Sequence, residues 1–190
     1  MLVSGSGSNL QALIDAADPE VNVRLVISDR DGIAALDRAV AAGIPTRVIH
    51  YQDFAGRDEF SAGIVEAASE VEALILAGFM RILSPLAVDQ FRHRILNVHP
   101  SLLPAFPGAH AVAQALAHGV KLTGVTVHFV DAEVDHGPII AQREVPVLNG
   151  DDEARLHSRI QAVEHRLYPE VVSAFVRGNI EVSGREVIWQ

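Results

Sequence analysis

Short apolar segments alternate with segments of helical spacing along the first half of the chain, and this alternation limits the fold more than any other feature. The apolar segments lie at residues 2–3, 23–28, 46–51, 73–78 and 95–99, with helical segments at 8–17, 32–42, 57–70 and from 84 onward between them. Two parallel strands need a crossover connection of about a dozen residues, which is usually a helix. The alternation therefore predicts an α/β fold with a doubly wound, Rossmann-like, mostly parallel sheet.

The second half of the sequence has a different pattern. Two apolar segments at 123–130 and 139–147 are joined by the short polar segment 131–137, so we expect them to pair antiparallel. A long helical segment at 151–176 and a hairpin at 179–189 follow. We therefore expect a single domain over residues 1–190, with an antiparallel addition to the sheet in its C-terminal half.

The composition argues against several classes of function. The formal net charge is −9 and no basic run occurs, whereas nucleic-acid-binding surfaces neutralise phosphates with Lys and Arg. The chain has no cysteine, which rules out disulfides, thiolate nucleophiles and cysteine-ligated metals. The longest apolar run, at 73–80, is too short to cross a bilayer, and the start does not resemble a signal peptide. We expect a cytoplasmic protein with no nucleic-acid or membrane partner.

The segment ILNVHPSLLP, at residues 95–104, carries the most chemical information. Residues two apart in a strand point to the same face, so Asn97 and His99 should be neighbours at the end of a strand. An amide donor beside an imidazole can stabilise an oxyanion and transfer a proton. The alternative is structural, since a histidine near a strand end is often packed and an asparagine before proline often forms a turn.

A glycine-rich turn, Gly5-Ser-Gly7-Ser8-Asn9, precedes the first helical segment. Ser8 with Gln11 matches a capping box, and a helix N-terminus behind glycines can bind a phosphate. A tight turn that needs glycine is the structural alternative. A dinucleotide fingerprint would need glycine where Leu10 stands, although Asp29 lies where a ribose-binding acid would, so a nicotinamide site stays open as a rival.

The acidic segment 131–137 contains Asp135 and His136, with His128 shortly before it. Acidic loop residues are usually only solvated, and these histidines lack the tight spacing of a metal motif, so we expect no metal. If the loop folds over the end of the Asn97 strand, Asp135 could orient His99 or relay protons through water.

Apolar residues and one arginine follow the strand at 73–78. Met80, Arg81, Ile82 and Leu83 could line a slot for a flat ring. The end of a core strand is the structural alternative.

Five segments taken together resemble the phosphoribosylglycinamide (GAR) formyltransferases, which belong to the folate-dependent formyltransferases. They are SGSGSNLQALIDA, AGFMRILSP, ILNVHPSLLPAFPGAHA, TGVTVHFVDAEVDHGPIIAQ and EHRLYP, and the resemblance runs from Gly5 to about Val172. It implies transfer of a formyl group from the co-substrate 10-formyltetrahydrofolate to the amine of GAR, giving formyl-GAR and tetrahydrofolate in de novo purine (IMP) biosynthesis. It also implies a phosphate-binding, Rossmann-like half at 1–100 and a half with the folate loop and the long helix at 101–190.

The same resemblance assigns roles to residues. It implies a catalytic trio of Asn97, His99 and Asp135, in which Asn97 and protonated His99 stabilise the oxyanion while Asp135 favours the charged imidazole. It places GAR on Gly7, Ser8, Asn9 and Glu164. It places folate on Arg57, Met80, Arg81, Ile82, Leu83, Asn97, Asp131, Ala132, Glu133, Val134 and Asp135, with His110 and His128 as supporting residues. The expected partners are the two small molecules, and a homodimer is one assembly we consider.

Other functions remain open from sequence. A formyltetrahydrofolate deformylase would use the same trio on water and would have less need of the glycine-rich turn. Formyltransferases for initiator tRNA or sugar nucleotides are longer. A nicotinamide-dependent oxidoreductase would use the glycine-rich turn with Asp29. A non-enzymatic ligand-binding module would contain Asn97, His99 and Asp135 without the alignment that catalysis needs.

Overall fold

The computed structural model describes all residues from 1 to 190, in two compact units at 1–97 and 98–190. Its main sheet has seven strands in the order β3-β2-β1-β4-β5-β6-β7. The pairs among the first five strands are parallel, and β6 pairs antiparallel with β7. This confirms the doubly wound, mostly parallel sheet with an antiparallel addition in the C-terminal half.

The first unit contains the alternating strands and helices expected from the sequence. Its elements are β1 (Leu2–Val3), α1 (Ser8–Ala16), β2 (Val26–Ser28), α2 (Ala34–Ala41), β3 (Thr46–Val48), a 3₁₀ turn (Tyr51–Asp53), α3 (Arg57–Ala67), β4 (Leu74–Ala77), α4 (Pro85–Gln90) and the start of β5 (Ile95–His99). The order reverses at β1, which lies between β2 and β4. In open α/β sheets, ligands bind where the strand order reverses, beyond the carboxyl ends of the strands. The segments after β1 and β4 are therefore the expected ligand-binding edge.

Most strands in the first unit are shorter than the apolar segments that predicted them. The sequence predicted strands at 23–28 and 46–51, whereas β2 begins at Val26 and β3 ends at Val48. β2 is fully buried, but the first two residues of β3, the outermost strand of the sheet, are exposed. Apolar composition therefore overestimated strand length here, because pairing and not hydropathy decides where a strand ends.

The second unit is built on an antiparallel pair covered by a long helix. It contains the end of β5, then α5 (Ala111–Ala117), β6 (Leu122–Phe129), β7 (Ile139–Pro146), α6 (Glu153–Val176), β8 (Ile180–Ser183) and β9 (Glu186–Trp189). Helix α6 packs against β6, β7 and α5. Strands β8 and β9 pair antiparallel with each other, which confirms the predicted hairpin. No helix in the chain is both long and apolar enough to span a membrane.

Candidate functional site

His99 ends β5 and is only 4% exposed, so its contacts are set by neighbouring protein groups. Its Nδ1 lies 3.2 Å from Oδ2 of Asp135, and its Nε2 lies 2.8 Å from the carbonyl oxygen of Phe106. Both neighbours are hydrogen-bond acceptors, and a neutral imidazole has only one N–H to donate. Only a doubly protonated, positively charged ring can donate to both acceptors at once.

Asp135 is surrounded by groups that favour its carboxylate. The Gly108 N–H donates to Oδ2 at 2.7 Å, and Nε2 of the buried His128 lies 3.6 Å from Oδ1. Burial alone would raise the pKa of Asp135, but the His128 interaction, the Gly108 hydrogen bond and the charge on His99 together lower it below its usual value. The result is a carboxylate at Asp135 beside the His99 ring in a largely water-excluded site.

The backbone around Asp135 has an unusual conformation. Asp135 has a φ of 52°, in the left-handed region that few residues other than glycine adopt. Two residues later, a Cβ on Gly137 would lie 1.9 Å from the carbonyl oxygen of Phe129, closer than any real contact. We call residues 131–137 the acidic loop; its return to β7 passes so close to β6 that only glycine fits at 137.

Replacing Gly137 with alanine should disorganise the acidic loop. The added methyl group must push the loop away from β6, and overpacking of this kind costs about 1–3 kcal/mol or more. We expect a lower melting temperature and a large loss of activity, measured by thermal unfolding and steady-state kinetics. Gly56→Ala is the matched control, because Gly56, like Gly137, has no left-handed φ, and a Cβ on it would meet nothing within 4 Å. A fully active, fully stable Gly137→Ala enzyme would contradict the predicted clash.

The segment that supplies the Phe106 carbonyl is anchored by a buried polar network. The Thr126 hydroxyl donates to the carbonyl oxygen of Ser101 at 2.7 Å and accepts from the Leu103 N–H at 3.0 Å. The amide of Gln142 donates to Thr126 and to the carbonyl oxygen of Leu103 at 2.9 and 2.8 Å. Because these bonds tie the segment after β5 to β6 and β7, they hold the acceptor that fixes the His99 ring.

The residues of this network and the backbone groups of Phe106 and Gly108 were not predicted from the sequence. One signal was available for the network. β6 is buried from Thr123 to Phe129, and polar residues at Thr126 and His128 interrupt an apolar strand. Buried polar side chains require partners, so they indicate a structural or functional network. The Phe106 carbonyl could not have been identified, because any residue type has one.

In the first unit, the glycine-rich turn leads directly into α1, but the predicted capping box is wrong. Gly7 and not Ser8 is the N-cap, no side chain caps the helix, and Gln11 instead bonds to Asp15 at 2.8 Å. Gly7 has a φ of 70°, and a Cβ there would lie 2.7 Å from Ala35. Glycine is thus required by packing, and Ser8 and Asn9 form the first turn of α1, at the positive end of the helix dipole.

The residues after β4 do not form one uniform apolar slot. Met80 and Ile82 are exposed at 67% and 54%, whereas Leu83 is buried. The Nε of Arg81 donates to Asp29 at 2.8 Å, and its guanidinium lies 4.8 Å from the centre of the Tyr51 ring. Two exposed apolar side chains beside a fixed arginine form a surface suited to a flat, polar-edged ring.

The same contacts weaken the nicotinamide alternative. Asp29 is 4% exposed and accepts from Arg81 and from Arg30, at 3.2–3.3 Å for the latter. Burial would raise the pKa of Asp29, but these two arginines and Ser4 together lower it. Its oxygens therefore already have partners, which disfavours a ribose-binding role.

The other predicted residues lie at separate places in the two units. Asn97 lies on β5, in register with Leu76 of β4. Arg57 is the first residue of α3 and is half-exposed. Glu164 is buried in α6, where its charge helps to raise the pKa of Tyr168, together with burial, which is the larger cause. His110 lies exposed at the N-cap of α5, so of the two supporting histidines only His128 contacts Asp135.

Comparison with known proteins identifies the family. The model of the family described as "Formyl transferase" matches residues 1–172. The chain belongs to the formyl transferase family. Phosphoribosylglycinamide formyltransferase of Mycobacterium tuberculosis (strain CDC 1551 / Oshkosh) is 48% identical over 189 residues, covering 97% of this chain and 87% of that protein. The trifunctional purine biosynthetic protein adenosine-3 of Drosophila melanogaster is 47% identical, but this formyl transferase chain spans only 14% of its length.

Solved structures of family members have the same fold. The crystal structure of glycinamide ribonucleotide transformylase 1 from Symbiobacterium toebii aligns with a TM-score of 0.96 and 46% identity, covering 99% of this chain and 91% of that one. A formyltetrahydrofolate deformylase from Pseudomonas syringae aligns with a TM-score of 0.91 but 25% identity, covering 99% of this chain and 64% of the other. Because a transformylase and a deformylase both share this backbone, the fold alone does not distinguish between these two kinds of enzyme.

Proposed function

We propose that this protein transfers the formyl group of 10-formyltetrahydrofolate to the amine of GAR, in purine biosynthesis. The observation that carries this proposal is the buried His99–Asp135 pair, whose partners favour a charged imidazole beside a carboxylate. Such a pair can stabilise negative charge on a reacting carbonyl oxygen and accept a proton from the nucleophile. The close relationship to named GAR formyltransferases supports the choice of acceptor.

The proposed reaction proceeds through a tetrahedral intermediate. The GAR amine attacks the formyl carbon, so a new C–N bond forms and the carbonyl oxygen becomes an oxyanion. The bond from that carbon to N10 of the folate then breaks, and the proton lost by the amine ends on N10. Asn97 and His99, on the same strand, donate to the oxyanion, while Asp135 keeps His99 charged and relays the amine proton.

The contacts of His99 support one assignment of roles to its two N–H groups. The Nε2 contact to the Phe106 carbonyl is short, at 2.8 Å, and that carbonyl belongs to the anchored segment. The Nδ1 contact to Asp135 is longer, at 3.2 Å. We therefore propose that the Nδ1–H is the donor shared between Asp135 and the formyl oxygen. The Nε2–H donates to the Phe106 carbonyl and holds the ring in place.

The binding roles are assigned to the remaining predicted residues. The GAR phosphate binds the first turn of α1 at Gly7, Ser8 and Asn9, where the positive end of the helix dipole favours an anion. Glu164 binds near the GAR amine. The folate binds Arg57, the segment from Met80 to Leu83, Asn97 and the acidic-loop residues Asp131, Ala132, Glu133, Val134 and Asp135. A cytoplasmic location, a single-domain organisation and a homodimer stay predictions.

The function is tested by following formyl loss with and without GAR. The purified protein is mixed with 10-formyltetrahydrofolate, and tetrahydrofolate and formyl-GAR are quantified over time. We expect tetrahydrofolate to form only when GAR is present, in equal amounts with formyl-GAR.

Two other outcomes of this experiment would support other functions. Release of free formate without GAR would indicate a deformylase, the alternative suggested by the shared fold. No formyl loss, together with binding of NAD(H), would support an oxidoreductase and overturn the proposal.

A further inference from the structure

The C-terminal hairpin, formed by β8 and β9, is not used in the function proposed above, yet it contacts the acidic loop. Arg185 lies in its turn and donates from Nη2 to the carbonyl oxygen of His136 at 2.8 Å. Its Nη1 lies 3.3 Å from Nε2 of the same His136. On the other side of this ring, Nδ1 of His136 lies 2.7 Å from Oδ2 of Asp131.

These contacts define the direction of every hydrogen bond in the series. Arginine can only donate, so Nε2 of His136 must accept from Arg185. The ring proton is therefore on Nδ1 and is donated to the carboxylate of Asp131. The other oxygen of Asp131 accepts the N–H of Glu133 at 3.0 Å. Arg185 thus favours the Nδ1–H tautomer of His136, which donates to Asp131 and so links the end of the acidic loop to its first residue.

The position of this clamp matters because of the backbone it holds. His136 directly follows Asp135, whose left-handed conformation costs about 1–2 kcal/mol and persists only where neighbouring contacts enforce it. The bond from Arg185 to the His136 carbonyl holds the peptide between His136 and Gly137, one peptide beyond Asp135. The indole N–H of Trp189 donates to the carbonyl oxygen of Ile140 at 3.0 Å, which anchors the hairpin on the start of β7.

We propose that Arg185 is a positioning residue, which preorganises the acidic loop for folate through His136. It contacts neither the reacting atoms nor Asp135, and it acts by reducing the ordering that folate binding would otherwise require. Loss of the clamp should therefore weaken folate binding, while the chemical step in the fully bound complex is retained. This inference rests on the proposed function, because it assumes that the acidic loop binds folate.

The first test measures the loop directly, without substrate. In Arg185→Ala, amide hydrogen exchange at 131–137 should be roughly three- to tenfold faster, as expected for loss of about one ordinary hydrogen bond. Exchange in β6 and the melting temperature should be unchanged, because Arg185 is exposed. Unchanged exchange in the acidic loop would overturn the inference, even if the enzyme is active as proposed.

The second test separates binding from turnover. Arg185→Ala should raise the KM for 10-formyltetrahydrofolate roughly three- to tenfold, with less than a twofold change in kcat and in the KM for GAR. Arg185→Lys should raise this KM less than Arg185→Ala does, since the lysine ammonium can still donate to the His136 carbonyl. Arg143→Ala is the matched control, because Arg143 is an exposed arginine of the same unit that pairs with Glu170. Equal loss in the control, or an unchanged folate KM in Arg185→Ala, would overturn the inference.

A double-mutant cycle identifies the path. If Arg185 acts through His136, then His136→Ala should raise the folate KM by a similar factor. The folate KM of the double variant should then be less than twofold above that of either single variant. Fully multiplied effects would show that Arg185 acts by another route. The proposed function is tested separately, by GAR-dependent formyl loss in the unmodified protein.

Discussion

His99→Ala should lower kcat about a hundred- to thousand-fold while the KM for GAR stays within a fewfold of the unmodified value. In the proposed mechanism the imidazole donates to an oxygen that gains full charge only in the transition state. Interactions that strengthen only at that point accelerate the reaction without tightening substrate binding. Steady-state kinetics with each substrate varied in turn measures the two effects separately.

The surroundings of His99 strengthen this expectation. Its two ring nitrogens face the Phe106 carbonyl and the Asp135 carboxylate, so the ring is held in one orientation before substrate arrives. Preorganised donors contribute most to catalysis, because they need no reorganisation during the reaction. A His99→Gln variant keeps one amide donor but no positive charge, and we expect it to recover only a small part of the lost rate.

His157→Ala is the matched control for this histidine. His157 lies exposed on α6, so its removal should leave kcat and both KM values unchanged. A His99→Ala enzyme whose KM for GAR rises while kcat stays constant would show that His99 binds substrate and does not stabilise the transition state. Normal thermal unfolding of the variant should be checked first, because His99 is buried.

The fold could be predicted because it follows from periodicity. The alternation of apolar and helical segments predicted the parallel sheet, and the two long apolar segments of the second half predicted the pairing of β6 with β7. Helix α4 begins at Pro85, close to the predicted start at residue 84, and the Ser84 side chain accepts the Ala87 N–H. These are local properties, in which side-chain pattern and backbone conformation are directly coupled.

The site could be predicted only in part, because it depends on contacts between distant segments. His99 and Asp135 do meet, as the resemblance implied, but the Phe106 carbonyl that completes the pair has no sequence signature. The capping box at Ser8 was wrong because the chain turns at Gly7, which packs against Ala35 of another helix. Tertiary packing of this kind overrides local capping preferences, and a single sequence does not reveal it.

Asp135→Asn should lower kcat about a hundredfold or more, with a smaller effect on the KM for GAR. Asparagine is close to the same size and can still accept the Gly108 N–H, so the acidic loop should keep its place. It carries no charge, however, and therefore no longer favours the protonated form of His99 or accepts the amine proton. Asp89→Asn is the matched control, since Asp89 forms an exposed pair with Arg92 in α4 and should be replaceable without effect.

The pH dependence of stability gives an independent test of the Asp135 environment. Because the folded state lowers the pKa of Asp135, its ionisation stabilises the fold at pH values above the unfolded-state pKa of about 3.9. This contribution is lost as the pH falls through the folded-state pKa, where both states become protonated. Urea unfolding should therefore find Asp135→Asn less stable than the unmodified protein at pH 7, with the difference shrinking below about pH 4. A difference that grows on acidification would mean that burial outweighs His128, Gly108 and His99, and that the carboxyl is held neutral, which is incompatible with a carboxylate that charges His99.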